Sequence, residues 1–275
     1  MLKNTIITAM AIFFLFSGCG KSPMEAAADF FISDEEEVEM GKEYDEYLRN
    51  TMPVASKYSP LSMYIDSIGR RMVDSMSGVE GFRDPDPEID FDYSFSVVNE
   101  DVVNAFAVPG GFIYIYKGLI EAAKNEAEIA GVIAHEMGHV VKKHGKKHLL
   151  QNFAAEQLTA MILGDESLVG AGVNLLLTTK FSRMDEFEAD SCGLHYAYSA
   201  KYNPYGFIGF FNTLDSLSGG SSTLEDITGI VSTHPPTEDR IEECERIILS
   251  SFNEYTPSDS AYYYESRYLE HMGNN

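Results

Sequence analysis

Positive charge is scarce in this chain. Its 20 Lys and Arg are outnumbered by 43 Asp and Glu, giving a formal net charge of −23. No basic excess exists to neutralise phosphates, which argues against a nucleic-acid partner. Adhesion to an anionic lipid surface by charge is disfavoured for the same reason. Cysteine is scarce too: Cys19, Cys192 and Cys244 are the only three. An exported compartment would permit a bond between the last two, but nothing in their spacing brings them together. Buried free thiols are the expectation. Long apolar runs are also missing. The patches Leu158 to Leu163 and Leu168 to Leu177 are split by Gly164-Asp165-Glu166-Ser167. Neither is long enough to span a bilayer; both read as core helices, with a groove wall or dimer face as the alternative. No repeat of 20–50 residues is visible, so no solenoid module is expected.

What is present begins with a separate N-terminal object. Lys3 precedes an apolar run from Ile6 to Phe16, broken only by Thr8. The run has signal-peptide proportions. Leu15-Phe16-Ser17-Gly18-Cys19 follows it and resembles the bacterial lipobox, which implies cleavage before Cys19 and acylation of that residue. The expected division is therefore a signal segment over 1–18, a tether over 19–34, a folded domain over 35–255 and a C-terminal tail over 256–275 without evident role.

Within the domain, Glu35 to Asn50 and Pro60 to Ser77 carry helical apolar spacing. Gly81 to Asp90 is rich in Pro and Asp and reads as a turn. Phe91 to Val98 alternates and reads as a strand; Asn104 to Val108 continues extended; Pro109-Gly110-Gly111 turns; Phe112 to Tyr116 is a second clear strand. A central helix follows, with Asn125 as N-cap and Glu128 completing a capping-box-like start. Further helices are expected over Glu186 to Tyr198, Tyr205 to Leu217 and Thr237 to Ser251, with a Gly/Ser turn at Ser218 to Ser222.

The central helix carries the chemistry. In Ala134-His135-Glu136-Met137-Gly138-His139 the histidines are four apart, about 40° out of line on one helical face. Ile129, Val132, Ile133, Met137, Val140 and Val141 make the flanks apolar, so the helix is buried and its histidines need partners. With Glu136 beside the first histidine, this is the zinc-protease pattern H-E-x-x-H. A catalytic zinc takes three protein ligands and keeps a fourth position open. A metzincin would place Gly and His where Lys142 and Gly145 stand, so that pattern fails. On a continuous helix His144 lies about 140° from His139; it and His148 are expected at the helix C-terminal end, where the dipole suits them. The third ligand is then a carboxylate from a later helix. Asp185, Glu186, Glu188 and Asp190 are on offer, with Glu186 and Asp190 four apart on one face. One could bind metal while the other accepts from the far nitrogen of a ligating histidine.

At this point the sequence resembles the M48 metallopeptidases, a family that includes the CAAX prenyl proteases and bacterial periplasmic quality-control proteases. The matching pieces are VVNAFAVPGGFIYIYKGLI, NEAEIAGVIAHEMGHVVKKH, SRMDEFEAD, KYNPYGFIGFF and STHPPTEDRI, in the family's order. The resemblance implies an α+β, predominantly helical zincin fold of the gluzincin type, with a small β-sheet beside the active-site helix. It implies one zinc per chain, held by His135, His139 and Glu186, with Asp190 supporting a ligand and Arg240 near the site. Glu136 is implied as general base, and His234 would face the zinc, either as oxyanion donor or as a latch on the open position. Asn104, Ala105, Phe106 and Ala107 would form an edge strand that pairs with extended substrate. The expected activity is zinc-dependent endopeptidase action on misfolded or misassembled proteins of a bacterial cell envelope, from a lipid anchor at Cys19. A zinc-containing chaperone or a self-inhibited protease of the same fold is the alternative.

Overall fold

The computed structural model describes residues 31–76, 91–219 and 224–273. The signal segment, Cys19, the tether to residue 30, the turn at 81–90 and the Gly/Ser turn beyond Gly219 lie outside these residues. Helix α1 (Asp34–Thr51) starts at Ser33 with a full capping box to Glu36, and α2 (Pro60–Met76) follows. Strands β1 (Ser94–Val98), β2 (Ala105–Val108) and β3 (Phe112–Tyr116) form one sheet in the order β1-β3-β2. β1 runs parallel to β3, and β2 antiparallel to it. The β2–β3 connection is the tight Pro109–Gly111 turn, in which Gly110 and Gly111 take φ of 82° and 92°, a region L-residues avoid.

Both sheet faces are covered, so each strand alternates between two hydrophobic environments. Phe95, Val97, Ala105, Ile113 and Ile115 pack with α2 and the central helix. Val98, Phe106, Val108, Tyr114 and Tyr116 pack with Met40, Tyr44 and Leu48 of α1 and with later helices. After the short α3 (Lys117–Ala122) comes the central helix α4 (Glu126–Val141), buried at every position. That all-round burial is why its sequence is apolar on every side. Asn125 caps it, its side chain accepting from Glu128 N–H at 3.0 Å. Glu128 does not close the expected box; its carboxylate accepts from Lys124 N–H at 3.1 Å instead.

The 144–178 stretch folds as α5 (His144–Asn152), α6 (Ala155–Ile162) and α7 (Glu166–Thr178), whose apolar faces join the second core. Among the described residues no single helix is long and apolar enough to cross a membrane; α6 and α7 together are, but are bent by 106°. Helices α8 (Arg183–Ser199) and α9 (Tyr205–Gly219) pack against α4. Then come α10 (Leu224–Thr233), α11 (Glu238–Ser251) and α12 (Glu265–Met272). The α10 helix was not expected, and residues 260–272 do more than trail. Arg267 pairs with buried Glu126, Tyr268 Oη donates to the Ala123 carbonyl at 2.6 Å, and the Tyr263 carbonyl accepts from Ala127 N–H at 3.2 Å. The packed chain thus runs past residue 255 and clamps the start of α4. Cys192 and Cys244 are both buried and free.

Candidate metal centre and cleft

Helix α4 presents His135, Glu136 and His139; α8 presents Glu186 and Asp190; the loop after α10 brings His234, and α11 brings Arg240. The approach of α4 to α8 is set by small residues. A Cβ on Gly138 would lie 2.6 Å from the Ala189 carbonyl oxygen, and one on Gly193 would lie 3.0 Å from His135 N. Only glycine lets the two helices come this close, and that closeness puts α8 carboxylates against α4 imidazoles. One ring nitrogen from each of His135, His139 and His234 and one Glu186 oxygen lie within 4.8 Å of one another, all buried. His135 Nε2 is 3.1 Å from His139 Nε2 and 3.3 Å from His234 Nδ1. Glu186 Oε1 is 2.9 Å from His234 Nδ1 and 3.6 Å from His139 Nε2.

Hydrogen bonds alone do not account for this crowding. A neutral imidazole has one N–H and one lone pair, so His135 Nε2 cannot serve two neighbouring ring nitrogens at once. Oε1 of Glu136 and Oε2 of Glu186 are buried without an aligned hydrogen-bond partner. Arg240 Nη1 does sit 2.6 Å from Glu186 Oε2, a close ionic contact out of hydrogen-bonding line. Imidazole nitrogens around a carboxylate oxygen are the donor set of a transition-metal site. The residues present fit a metal ion.

Around that centre the charges are arranged in pairs. Arg240 donates to Asp190 through Nε at 2.8 Å and Nη2 at 2.6 Å. Asp190 in turn approaches His135 Nδ1 at 2.9 Å, out of line for a full hydrogen bond. Burial alone would raise the Asp190 carboxyl, but Arg240 and then His135 outweigh it and hold the group below the usual range. Glu186 follows the same logic, with burial opposed by His234, His135 and Arg240. Burial, reinforced by His135 and His144, pushes His139 well down. His234 goes the other way: burial would lower it, and the Glu186 and Glu136 carboxylates raise it.

The centre opens into a cleft of about 480 Å³ lined by Asn104 to Pro109, Glu136, His139, Phe181, Leu176 and His234, among others. Strand β2 forms one wall and pairs only with β3 among the described residues. Tyr116 N–H donates to the Asn104 carbonyl at 3.0 Å. By antiparallel alternation, Phe106 and Val108 also face β3, while Ala105 and Ala107 turn their backbone groups outward. The outward Ala105 N–H is taken by the Asn104 side chain at 3.0 Å.

The model of peptidase family M48 matches residues 64–248, well over half of the sequence. The chain belongs to peptidase family M48. Its sequence is 38% identical over 146 residues to "Mitochondrial metalloendopeptidase OMA1" of Arabidopsis thaliana, covering 52% of this chain and 29% of that protein. It is 27% identical over 261 residues to "Beta-barrel assembly-enhancing protease" of Escherichia coli (strain K12), covering 88% of this chain and 51% of the relative. Against "Metalloprotease YcaL" of the same organism it is 27% identical over 211 residues, covering 72% and 74%. The chain thus spans about half the length of the assembly-enhancing protease and less of the mitochondrial enzyme.

The structure of this M48 chain brings together every side chain singled out around the H-E-x-x-H helix: His135, Glu136, His139, Glu186, Asp190, His234 and Arg240. One expectation is corrected. His144 does not close the C-terminal end of the helix. Helix α4 stops at Val141, Lys143 takes a left-handed φ of 55°, and His144 begins α5 in a new direction. It is fully buried, with Nδ1 only 2.8 Å from Nδ1 of His139. The 140° separation held only for an unbroken helix. Phe181 was also missed: its ring lies 4.2 Å from the His139 ring and 5.2 Å from that of His234. Nothing in its spacing marked it.

Proposed function

We propose that this M48 chain is a zinc-dependent metalloendopeptidase of the bacterial cell envelope, cutting extended segments of misfolded or misassembled proteins. The observation that carries the reading is the convergence of His135, His139 and Glu186 beside Glu136, whose buried Oε1 has no hydrogen-bond partner of its own. His135, His139 and Glu186 would hold one zinc. Bound zinc supplies Lewis acidity, polarising a carbonyl and making water acidic enough to lose a proton near neutral pH. Glu136 takes that proton at its free oxygen and later returns it to the leaving amine. Asp190, held by Arg240, keeps His135 turned toward the centre. Strand β2 offers the Ala105 carbonyl and both backbone groups of Ala107 to an extended peptide, so binding reads backbone rather than side chains. That suits unfolded chains, and the relative named for β-barrel assembly supports an envelope substrate. Cys19 would carry the lipid anchor.

Glu136→Gln tests the core of this reading. The ligands remain while the proton acceptor is lost, so zinc content should match wild type and hydrolysis of a quenched peptide should vanish. Retained activity at full zinc content would sink the assignment.

A second reading of His234 is favoured by one distance. Its Nδ1 lies among the ligand atoms, 2.9 Å from Glu186 Oε1, while Nε2 is 3.9 Å from Glu136 Oε1. As an oxyanion donor, its loss in His234→Ala should lower kcat by about 10²–10³ with little change in KM. As a latch on the open position, its loss should raise activity. Steady-state kinetics separates the two, and an unchanged kcat with a lowered Tm would exclude both.

A further inference from the structure

The two helix histidines are supported unequally. His135 turns its Nδ1 to the Asp190 carboxylate, which Arg240 holds. His139 turns Nε2 into the cluster, 3.1 Å from His135 Nε2, and its Nδ1 meets no carboxylate. It meets the Nδ1 of another imidazole, His144, at 2.8 Å. The opposite nitrogen of His144 lies 3.2 Å from Glu188 Oε2 and 3.4 Å from Asp185 Oδ1. We infer that His144 is a positioning residue for His139, transmitting the hold of Glu188 and Asp185 on α8 to the far side of the metal-facing ring. This rests on the zinc reading given above.

The chemistry fixes every proton in the chain of contacts. A ring that ligates through Nε2 carries its proton on Nδ1. His139 Nδ1–H must then donate, so His144 Nδ1 must be the lone pair that accepts. His144 therefore carries its proton on Nε2, where two carboxylate acceptors stand. With His139 ligating through Nε2, the other neutral tautomer of His144 would set two N–H groups against each other at 2.8 Å. Burial makes the requirement strict, because His144 is fully buried and water cannot take either role. The fold invests in this placement. Lys143 adopts the left-handed region, which turns the chain between α4 and α5 and swings His144 back over His139. Glu188 sits two residues past Glu186, so α8 supplies one carboxylate to the cluster and another to its support.

Partners on the far nitrogen of a ligating histidine are typically worth about 10–100-fold in metal affinity. The test is zinc affinity of the purified full chain, measured by competition with a chelating dye. His144→Ala should weaken zinc binding by about 10–100-fold, and His144→Asn, whose amide oxygen can still accept from His139 Nδ1, should recover much of the loss. The double variant Asp185→Asn with Glu188→Gln removes the charge behind His144 without touching the buried rings. It should weaken zinc by a smaller factor, and it keeps the idea testable if His144→Ala does not fold. Cobalt-substituted protein should show a shifted visible absorption band in the same variants, a readout that a merely structural histidine would not move. Wild-type zinc affinity in His144→Ala, with or without a lowered Tm, would overturn the positioning role alone; where that variant does not fold, wild-type affinity in the double variant would do the same. Failure of the wild type itself to bind zinc would overturn the functional reading and this inference with it.

Discussion

Arg240 is the residue on which the centre's charge balance turns. It is 2% exposed and touches both Asp190 and Glu186. Replacing one member of such a buried pair leaves the other charge uncompensated, at a cost of about 3–5 kcal/mol. Arg240→Met should therefore be far less stable than wild type at pH 7. The pH dependence has a definite sign. Asp190 is held below its ordinary value in the folded state, so the stability it confers is fully present above the unfolded carboxyl value, about 3.9. That stability is lost as pH falls further, toward the folded value. Both proteins share the unfolded state, so the gap should shrink as pH falls from the Asp190 value of the variant, which burial raises once Arg240 is gone, toward the lower wild-type value. Urea melts in chelator from pH 7 to pH 3 measure this without metal release intruding. A gap of constant size would mean the pair is not its source.

Among the elements, what could be read in the sequence was whatever a local period records. The α4 helix was legible because apolar residues surround two histidines at i and i+4, and the strands because Phe91 to Val98 and Phe112 to Tyr116 alternate. The break at Lys143 was not legible. Lys142 and Lys143 carry no Gly or Pro signal, and the left-handed turn is imposed by what α5 packs against. Hence His144 was placed on the wrong side of His139. The face of α8 was equally hidden, since Ala189 and Leu194 alone define no stripe; the buried carboxylates Glu186 and Asp190 lie on the face that meets α4. The role of α12 was missed because its anchor is polar. Glu126, fully buried, takes hydrogen bonds from Tyr64 Oη at 3.0 Å and Tyr202 Oη at 2.7 Å beside its ion pair with Arg267. Arg267→Ala should cost about 1–3 kcal/mol, the penalty of an under-satisfied buried group rather than of an isolated charge. Adding Glu126→Gln should return part of that loss, since the leftover charge is then gone. Non-additive Tm changes across the four proteins of the cycle check it; strict additivity would mean Arg267 acts by packing on Tyr264 alone.

At the scale of the whole molecule, the cluster joins pieces of chain far apart in sequence: α4, α8 and the loop at His234. All three meet at one core cluster, and Glu136 Oε1 and Glu186 Oε2 are buried there without an aligned hydrogen-bond partner. An ion that binds only the folded arrangement stabilises it by mass action, by about 2.7 kcal/mol when free zinc is 100 times its Kd. For a chain of this size each kcal/mol moves Tm by roughly 2–4 °C, so wild type should melt about 5–10 °C higher in buffered zinc than in chelator. Glu186→Ala, lacking one proposed ligand, should need a higher free zinc concentration for the same rise. The surface complicates this measurement in a predictable way. With a net charge of −23, divalent cations will screen carboxylate repulsion wherever they collect. Magnesium at the same concentration is the control, because it favours oxygen ligands and demands an octahedral shell. A zinc-specific rise that weakens in Glu186→Ala would place the ion among His135, His139 and Glu186. Equal rises with magnesium, or none with zinc, would mean that the convergence of these residues is a polar core and not a metal centre.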